Sequence, residues 1–137
     1  MIEKKCEIKV CSKQKMGKET ETTEVVYPGK FIDRGEKKYI SYKRSTEDGE
    51  VDCLLSYSKG QMAMSQQGGV RSKMEFVPGK TTSNAYMTPL GNMNLPVYTR
   101  GFSIDEKTDR IDIMVDYDIA TGDAIETKIN ITAKFLE

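Results

Sequence analysis

The sequence predicts an all-β protein, a single antiparallel domain of about eight to ten strands forming a closed or nearly closed meander barrel, or a sandwich, with the closed barrel favoured. Three observations carry this. Apolar and polar residues alternate at period two from one end of the chain to the other. Turn-forming clusters separate the alternating runs, and no stretch shows the periodicity of an amphipathic helix. With 37% hydrophobic and 31% charged residues, the chain suits strands with one face buried and one in water.

The elements follow in order. Cys6, Ile8 and Val10 share one face of a first strand, with Glu7 and Lys9 on the other. In "KKYISYKR", Ile40 and Tyr42 oppose Tyr39, Ser41 and Lys43. In "EVDCLLSYS", Val51, Cys53, Leu55 and Tyr57 line one face. Met62 and Met64 come next, then Val70, Met74 and Phe76. The clearest pair is Ile111, Ile113, Val115, Tyr117 and Ile119, followed by Ile125, Thr127, Ile129, Ile131, Ala133 and Phe135. "STEDGE", "SKGQ", "QQGG" and "ATGD" supply turns between them.

Two hairpin registers follow from the turns. A Lys59-Gly60 loop sets Tyr57 opposite Met62 and Leu55 opposite Met64. A Thr121-Gly122-Asp123 loop sets Ile119 opposite Ile125, Val115 opposite Ile129 and Ile113 opposite Ile131, with Asp116 beside Lys128 outside. A slip of one residue would put core positions against solvent positions. "PGK" occurs at 28–30 and 78–80, and both copies predict type II turns. Closing the sheet removes its exposed edges.

The 137 residues suit one domain spanning 1–137, with a core that needs neither disulfide nor metal. Lys plus Arg and Asp plus Glu are 21 each, so the chain lacks the basic excess of a nucleic-acid binder, and no nucleic acid is expected as partner. "MIEKKCEIKV" has no signal-peptide pattern, and no run approaches the ~18 apolar residues of a membrane helix. Cys6, Cys11 and Cys53 are odd in number and lack CxxC spacing, which points to reduced thiols and a cytoplasmic setting.

Several chemistries drop out. The chain has no histidine, which removes Ser-His-Asp and Cys-His catalysis and His-ligated metals. The Gly79-Lys80-Thr81 triplet lacks the earlier glycine of a P-loop, whose place is held by Met74, and no helix pattern follows it. Asp112, Asp116 and Asp118 fall on one face of an extended strand, unlike a calcium loop. No catalytic residue, metal or cofactor is expected, and the protein reads as a non-enzyme.

The runs "KYISYKR", "KMEFVPGKTTSNAYMTPLGNMNLPVYTRGFSID" and "RIDIMVDYDI" resemble the YwiB-like family of bacterial proteins of unknown function. The order Phe76, Gly79, Thr82, Tyr86, Thr88, Gly91, Leu95, Thr99 is the most specific part of that resemblance. The resemblance implies a calycin-like barrel and brings no assigned site residues. The GxW motif of secreted lipocalins is absent, since the chain has no tryptophan.

Five of the eight methionines, Met62, Met64, Met74, Met87 and Met93, lie between residues 62 and 93. Thioethers either fill irregular core space or form a compliant pocket wall. Near them Tyr86, Thr88, Thr99 and Arg100 offer polar groups. The candidate interior site is therefore Met64, Met74, Phe76, Tyr86, Met93 and Arg100, holding a small apolar or amphipathic molecule. The alternatives are a filled barrel acting through its surface, as monomer or homodimer, and weak single-strand binding through Tyr39, Tyr42 and the early lysines.

Overall fold

A computed structural model describes residues 2–47, 49–69, 71–88, 90–119 and 125–136. Ten strands run in chain order: β1 (Ile2–Met16), β2 (Glu19–Asp33), β3 (Lys38–Thr46), β4 (Gly49–Ser58), β5 (Gln61–Gly68), β6 (Arg71–Phe76), β7 (Thr81–Thr88), β8 (Gly91–Glu106), β9 (Arg110–Ile119) and β10 (Ile125–Phe135). Each pairs antiparallel with its chain neighbours, and β1 pairs with β10 to close the barrel. No helix among the described residues is long and apolar enough to cross a membrane, which leaves membrane crossing by strands untouched.

Alternation places the core. In β4, Val51, Cys53, Leu55 and Tyr57 are buried while Glu50 and Asp52 are exposed. In β9, Ile111, Ile113, Val115 and Tyr117 are buried. Both expected registers hold: Tyr57 pairs with Met62, Leu55 with Met64, and Ile119, Val115 and Ile113 with Ile125, Ile129 and Ile131. Val70 and the Thr121-Gly122-Asp123 turn lie outside the described residues.

β8 stays long by changing face midway. Val97 and Thr99 point inward, the register then shifts between Thr99 and Gly101, and from there Phe102 and Ile104 pack on the core. Arg100 is the extra residue of this bulge. Had the alternation of Val97 and Thr99 continued without this shift, the inward positions would fall to Gly101 and Ser103.

The two "PGK" copies differ. Val77-Pro78-Gly79-Lys80 is a turn, with Gly79 at φ +77° and the Lys80 N–H donating to the Val77 carbonyl at 3.0 Å. Pro28-Gly29-Lys30 is no turn and lies inside β2, contrary to the sequence expectation. Gly29 is needed there for a different reason. A Cβ would overlap Ile8 Cδ1 and the backbone oxygen of Ser41, so only glycine lets β2 approach β3 this closely.

Two seams of the barrel are thin. β2 and β3 pair only from Gly29–Tyr42 to Asp33–Lys38. Among the described residues β6 and β7 pair only at Arg71–Met87 and Ser72–Tyr86. At the second seam, side chains complete the wall. The Glu75 N–H donates to Asn84 Oδ1 at 2.9 Å, and Thr82 Oγ1 donates to the Glu75 carbonyl at 2.7 Å. Asn84 is buried, and its Nδ2 donates to the Thr82 and Leu95 carbonyls.

Candidate functional site

Beyond Gly29 the hairpins β1–β2 and β3–β4 part company. Residues Lys43 to Thr46 of β3 find no partner on β2, whose next residue toward them is Pro28. The barrel therefore has a mouth on this side. The inward faces exposed there belong to Tyr27 on β2 and to Tyr42 and Arg44 on β3.

Strand alternation puts these side chains together. Ile40 and Tyr42 are buried and Lys43 and Ser45 exposed, so Arg44 falls on the inward row. Its guanidinium is half-buried and donates to Gln66 Oε1 at 3.1 Å. Among the described residues, no carboxylate lies within ion-pair distance of Arg44. Tyr27 and Tyr42 stack at 4.9 Å between ring centroids, 24° from parallel. Cross-strand pairing continues the row from Tyr42 to Cys53, Gln66, Ser72, Tyr86 and Met93.

Burial sets the protonation of this group. It pushes the Tyr42 hydroxyl well up, and the neighbouring Cys53 and Tyr27 add to the shift while Arg44 opposes it. Burial also pushes the Cys53 thiol up, and the nearby Arg44 only partly counters it. Cys53 is thus a neutral thiol at neutral pH, without the thiolate that a nucleophile or metal ligand requires. Among the described residues no cluster of acidic or thiol side chains is arranged to hold a metal ion.

The opposite end of the barrel is finished differently. A cleft of about 360 Å³ beside Tyr57, Phe102 and Ile104 is spanned by the Lys38–Glu106 ion pair at 2.6 Å. The Tyr57 hydroxyl there is buried with no partner among the described residues, as are the hydroxyls of Thr99 and Thr127. Burial and the nearby Glu106 and Asp33 hold the Tyr57 hydroxyl protonated. At this end Lys38 and Glu106 answer each other, whereas Arg44 has no carboxylate partner among the described residues.

The expected site residues separate into groups. Phe76 is fully buried, with its ring 5.0 Å from that of Tyr117, and is part of the core. Met64 and Met74 face inward, half-buried, and pack against that core as cross-strand neighbours. Tyr86 is half-buried and continues the inward row. Met93 also belongs to that row but is 55% exposed, because the β7–β8 hairpin overhangs the barrel; it is not interior wall. Met87 is exposed and Met62 buried.

Arg100 requires a larger correction. Alternation after the inward Thr99 turns it to the outside, where it pairs with Asp116 and Asp118. Asp116 does sit opposite Lys128 in register, yet it forms its ion pair with Arg100. Asp112 is held by Lys107 at 3.2 Å and Arg110 at 3.1 Å. Thr99 is buried, and the side chain of Thr88 lies outside the described residues. Tyr39 and Tyr42 point to opposite faces, so they form no shared stacking platform.

Sequence reasoning missed Arg44, Tyr27 and Gln66. Arg44 had a signal: it follows Tyr42 by two residues on the same strand face. Tyr27 is hidden in the sequence because Pro28-Gly29 predicts a turn there, whereas it lies inside β2.

Among the described residues, a meander of ten strands with no helix, closed on itself and open at one lip, defines a small β-barrel class. The chain belongs to the family described as "Domain of unknown function (DUF1934)", whose model matches residues 8–132. It is 26% identical over 107 residues to the "Uncharacterized beta-barrel protein YwiB" of Bacillus subtilis (strain 168), covering 78% of this chain and 75% of that protein. The crystal structure of the ywiB protein from Bacillus subtilis superposes with a TM-score of 0.91 at 23% identity, covering 98% of this chain and 94% of that one. That likeness shows the barrel fold.

Proposed function

We propose that this protein is a non-enzymatic binding module for a small amphipathic molecule with an anionic head, seated at the mouth between β2 and β3. One observation carries the reading. Arg44 faces the barrel interior, half-buried, with an amide oxygen for partner and no carboxylate among the described residues. A cation placed in such a setting is stabilised by a bound anion, and the guanidinium fork suits carboxylate, sulfonate or phosphate. The stacked Tyr27 and Tyr42 offer an apolar wall beside it.

Deeper in the barrel, Phe76, Ile40 and Leu55 are fully buried, so the ligand occupies the mouth and not the length of the interior. The protonated Cys53 thiol and the absence of histidine favour binding over catalysis. Cys6, Cys11 and Cys53 as free thiols fit a reducing, cytoplasmic setting.

Two fluorescent probes with one ring system test this: anilinonaphthalene sulfonate, which is anionic, and uncharged phenylnaphthylamine. Arg44→Met should weaken the sulfonate about tenfold or more, the value of a charge-assisted hydrogen bond, and leave the neutral probe unchanged. Equal sulfonate binding by the parent and variant proteins, or no saturable binding by either, would refute the assignment.

A further inference from the structure

The open seam also presents backbone. β1 and β2 are joined through Gly17 and Lys18, with Met16 opposite Glu19. Gly17 has φ +59° and no described non-glycine residue has positive φ, as in a two-residue type II′ turn. In such a hairpin the closing pair exchanges both of its backbone hydrogen bonds, and alternate residues turn their N–H and C=O the other way. Thr20, Thr22, Glu24 and Val26 therefore present backbone donors and acceptors away from β1. Pro28 is next in that series, so its missing N–H falls on the open side and ends the ladder toward β3. Among the described residues no strand covers this edge of β2 from Glu19 to Pro28.

The side chains along the edge are graded. On the inward row, Glu19 and Glu21 stand at the hairpin end and Val25 and Tyr27 at the barrel end. Glu24, on the outer row, is paired with Lys9 at 2.6 Å, whereas Glu19 and Glu21 make no ion pair among the described residues. These two flank a groove of about 310 Å³ that also takes in Gln14, Thr20 and the exposed thioether of Met16. Val25 and Val26 are exposed on opposite faces, at 43% and 52%.

We propose that this edge is the docking site of an extended basic peptide from a partner protein, which adds antiparallel to β2 as one further strand. Opposite Tyr27 and Val25 the peptide carries apolar side chains. Opposite Glu21 and Glu19 it carries lysine or arginine, with the aliphatic stems on Met16 and the charged heads on the carboxylates. The peptide thus has apolar residues at its first and third positions and basic ones at its seventh and ninth. A second copy of this chain fits poorly. Antiparallel pairing keeps like faces together, and no such register of residues 19–27 on themselves sets a cation against Glu19, Glu21 or Glu24. The site is separate from Arg44, since Glu21 lies roughly 20 Å along β2 from Tyr27 at the usual strand rise.

The probe is a labelled nine-residue peptide with valine at the first and third positions, lysine at the seventh and ninth, and threonine elsewhere. Binding is read by fluorescence anisotropy at low salt. Thr22→Pro removes a donor from the open edge and leaves the β1 ladder intact. The double variant Glu19→Lys, Glu21→Lys reverses the charge, and circular dichroism checks that both variants fold. The parent should bind saturably. Each variant, added salt, and methylation of the peptide's amides should each weaken binding about tenfold or more. No saturable binding, equal binding of a peptide with glutamates in place of the lysines, or unchanged binding by Thr22→Pro would overturn the proposal. So would a parent dimer, seen by light scattering, that Thr22→Pro dissolves, since the edge would then belong to a second copy.

Discussion

Among the described residues the backbone ladder runs for two residue pairs between β6 and β7 and for five between β2 and β3, yet only the first gap is filled. Asn84 and Thr82 supply at β6–β7 the acceptor and donor that the missing strand pairing would have given to Glu75. At β2–β3, Pro28 withdraws a donor and the strands part. Side-chain closure is present where the wall must hold, and the other lip is left bare with an unmatched arginine inside it. The difference separates a structural gap from one available to a ligand.

The largest effect should come from Gly29→Ala. The added methyl would overlap the Ser41 carbonyl, which is backbone and cannot yield without parting the short β2–β3 seam. Overpacking of this kind should cost about 3 kcal/mol in urea unfolding. A loss under about 1 kcal/mol would mean that the contact relaxes freely and that this seam does not close the barrel.

Asn84→Ala comes next, at about 2 kcal/mol, because the partly buried N–H of Glu75 loses its acceptor while the Leu95 and Thr82 carbonyls lose a donor. Thr22→Pro, on the bare edge, should cost under about 1 kcal/mol. Comparable losses in these two variants would erase the distinction between the filled seam and the open one.

A third test uses pH. Burial raises the hydroxyls of Tyr42 and Tyr57 well above the ordinary value and pushes Tyr117 up to about 12. In the unfolded chain tyrosine ionises near 10. The folded state therefore keeps protons that the unfolded state has released, and this contribution, complete below about pH 10, is lost as pH rises toward and through the folded values. Stability should fall steeply above about pH 10. Near-ultraviolet absorbance should show these three of the seven tyrosines ionising only as the barrel unfolds. If Tyr42→Phe removed a component that titrates in the intact barrel, the mouth would admit more water than its burial indicates.

Much of the fold was legible because alternation is local. The faces of β4, β9 and β10 and two hairpin registers follow from neighbours in sequence and from turn length. What stayed hidden depends on residues far apart along the chain. The same Pro-Gly-Lys triplet is a turn at 78–80 and strand at 28–30, and contacts with Ile8 and Ser41 explain why Gly29 sits where it does. Met93 keeps the expected face, but its strand overhangs the barrel, which face assignment does not report. Arg100 faces outward by plain alternation from Val97 and Thr99, whereas counting back from Phe102 and Ile104 across the bulge would put it inside. Arg44 needed only one further step of the alternation already seen at Ile40 and Tyr42.

The smallest effect on stability separates the two arginines. Arg100→Met breaks exposed pairs with Asp116 and Asp118 and should cost at most about 1 kcal/mol, fading as salt is added. Arg44→Met removes a half-buried charge that has no carboxylate among the described residues, and replaces it with an apolar chain beside Tyr42 and Cys53. Its unfolding free energy should stay within about 0.5 kcal/mol of the parent or rise, with little dependence on salt. A protein that gains nothing in stability from an inward arginine retains it for something other than folding. A clear destabilisation by Arg44→Met, equal in probe-bound and probe-free protein, would instead make Arg44 part of the wall. It would then play at β2–β3 the role that Asn84 plays at β6–β7, and the contrast between the seams would disappear.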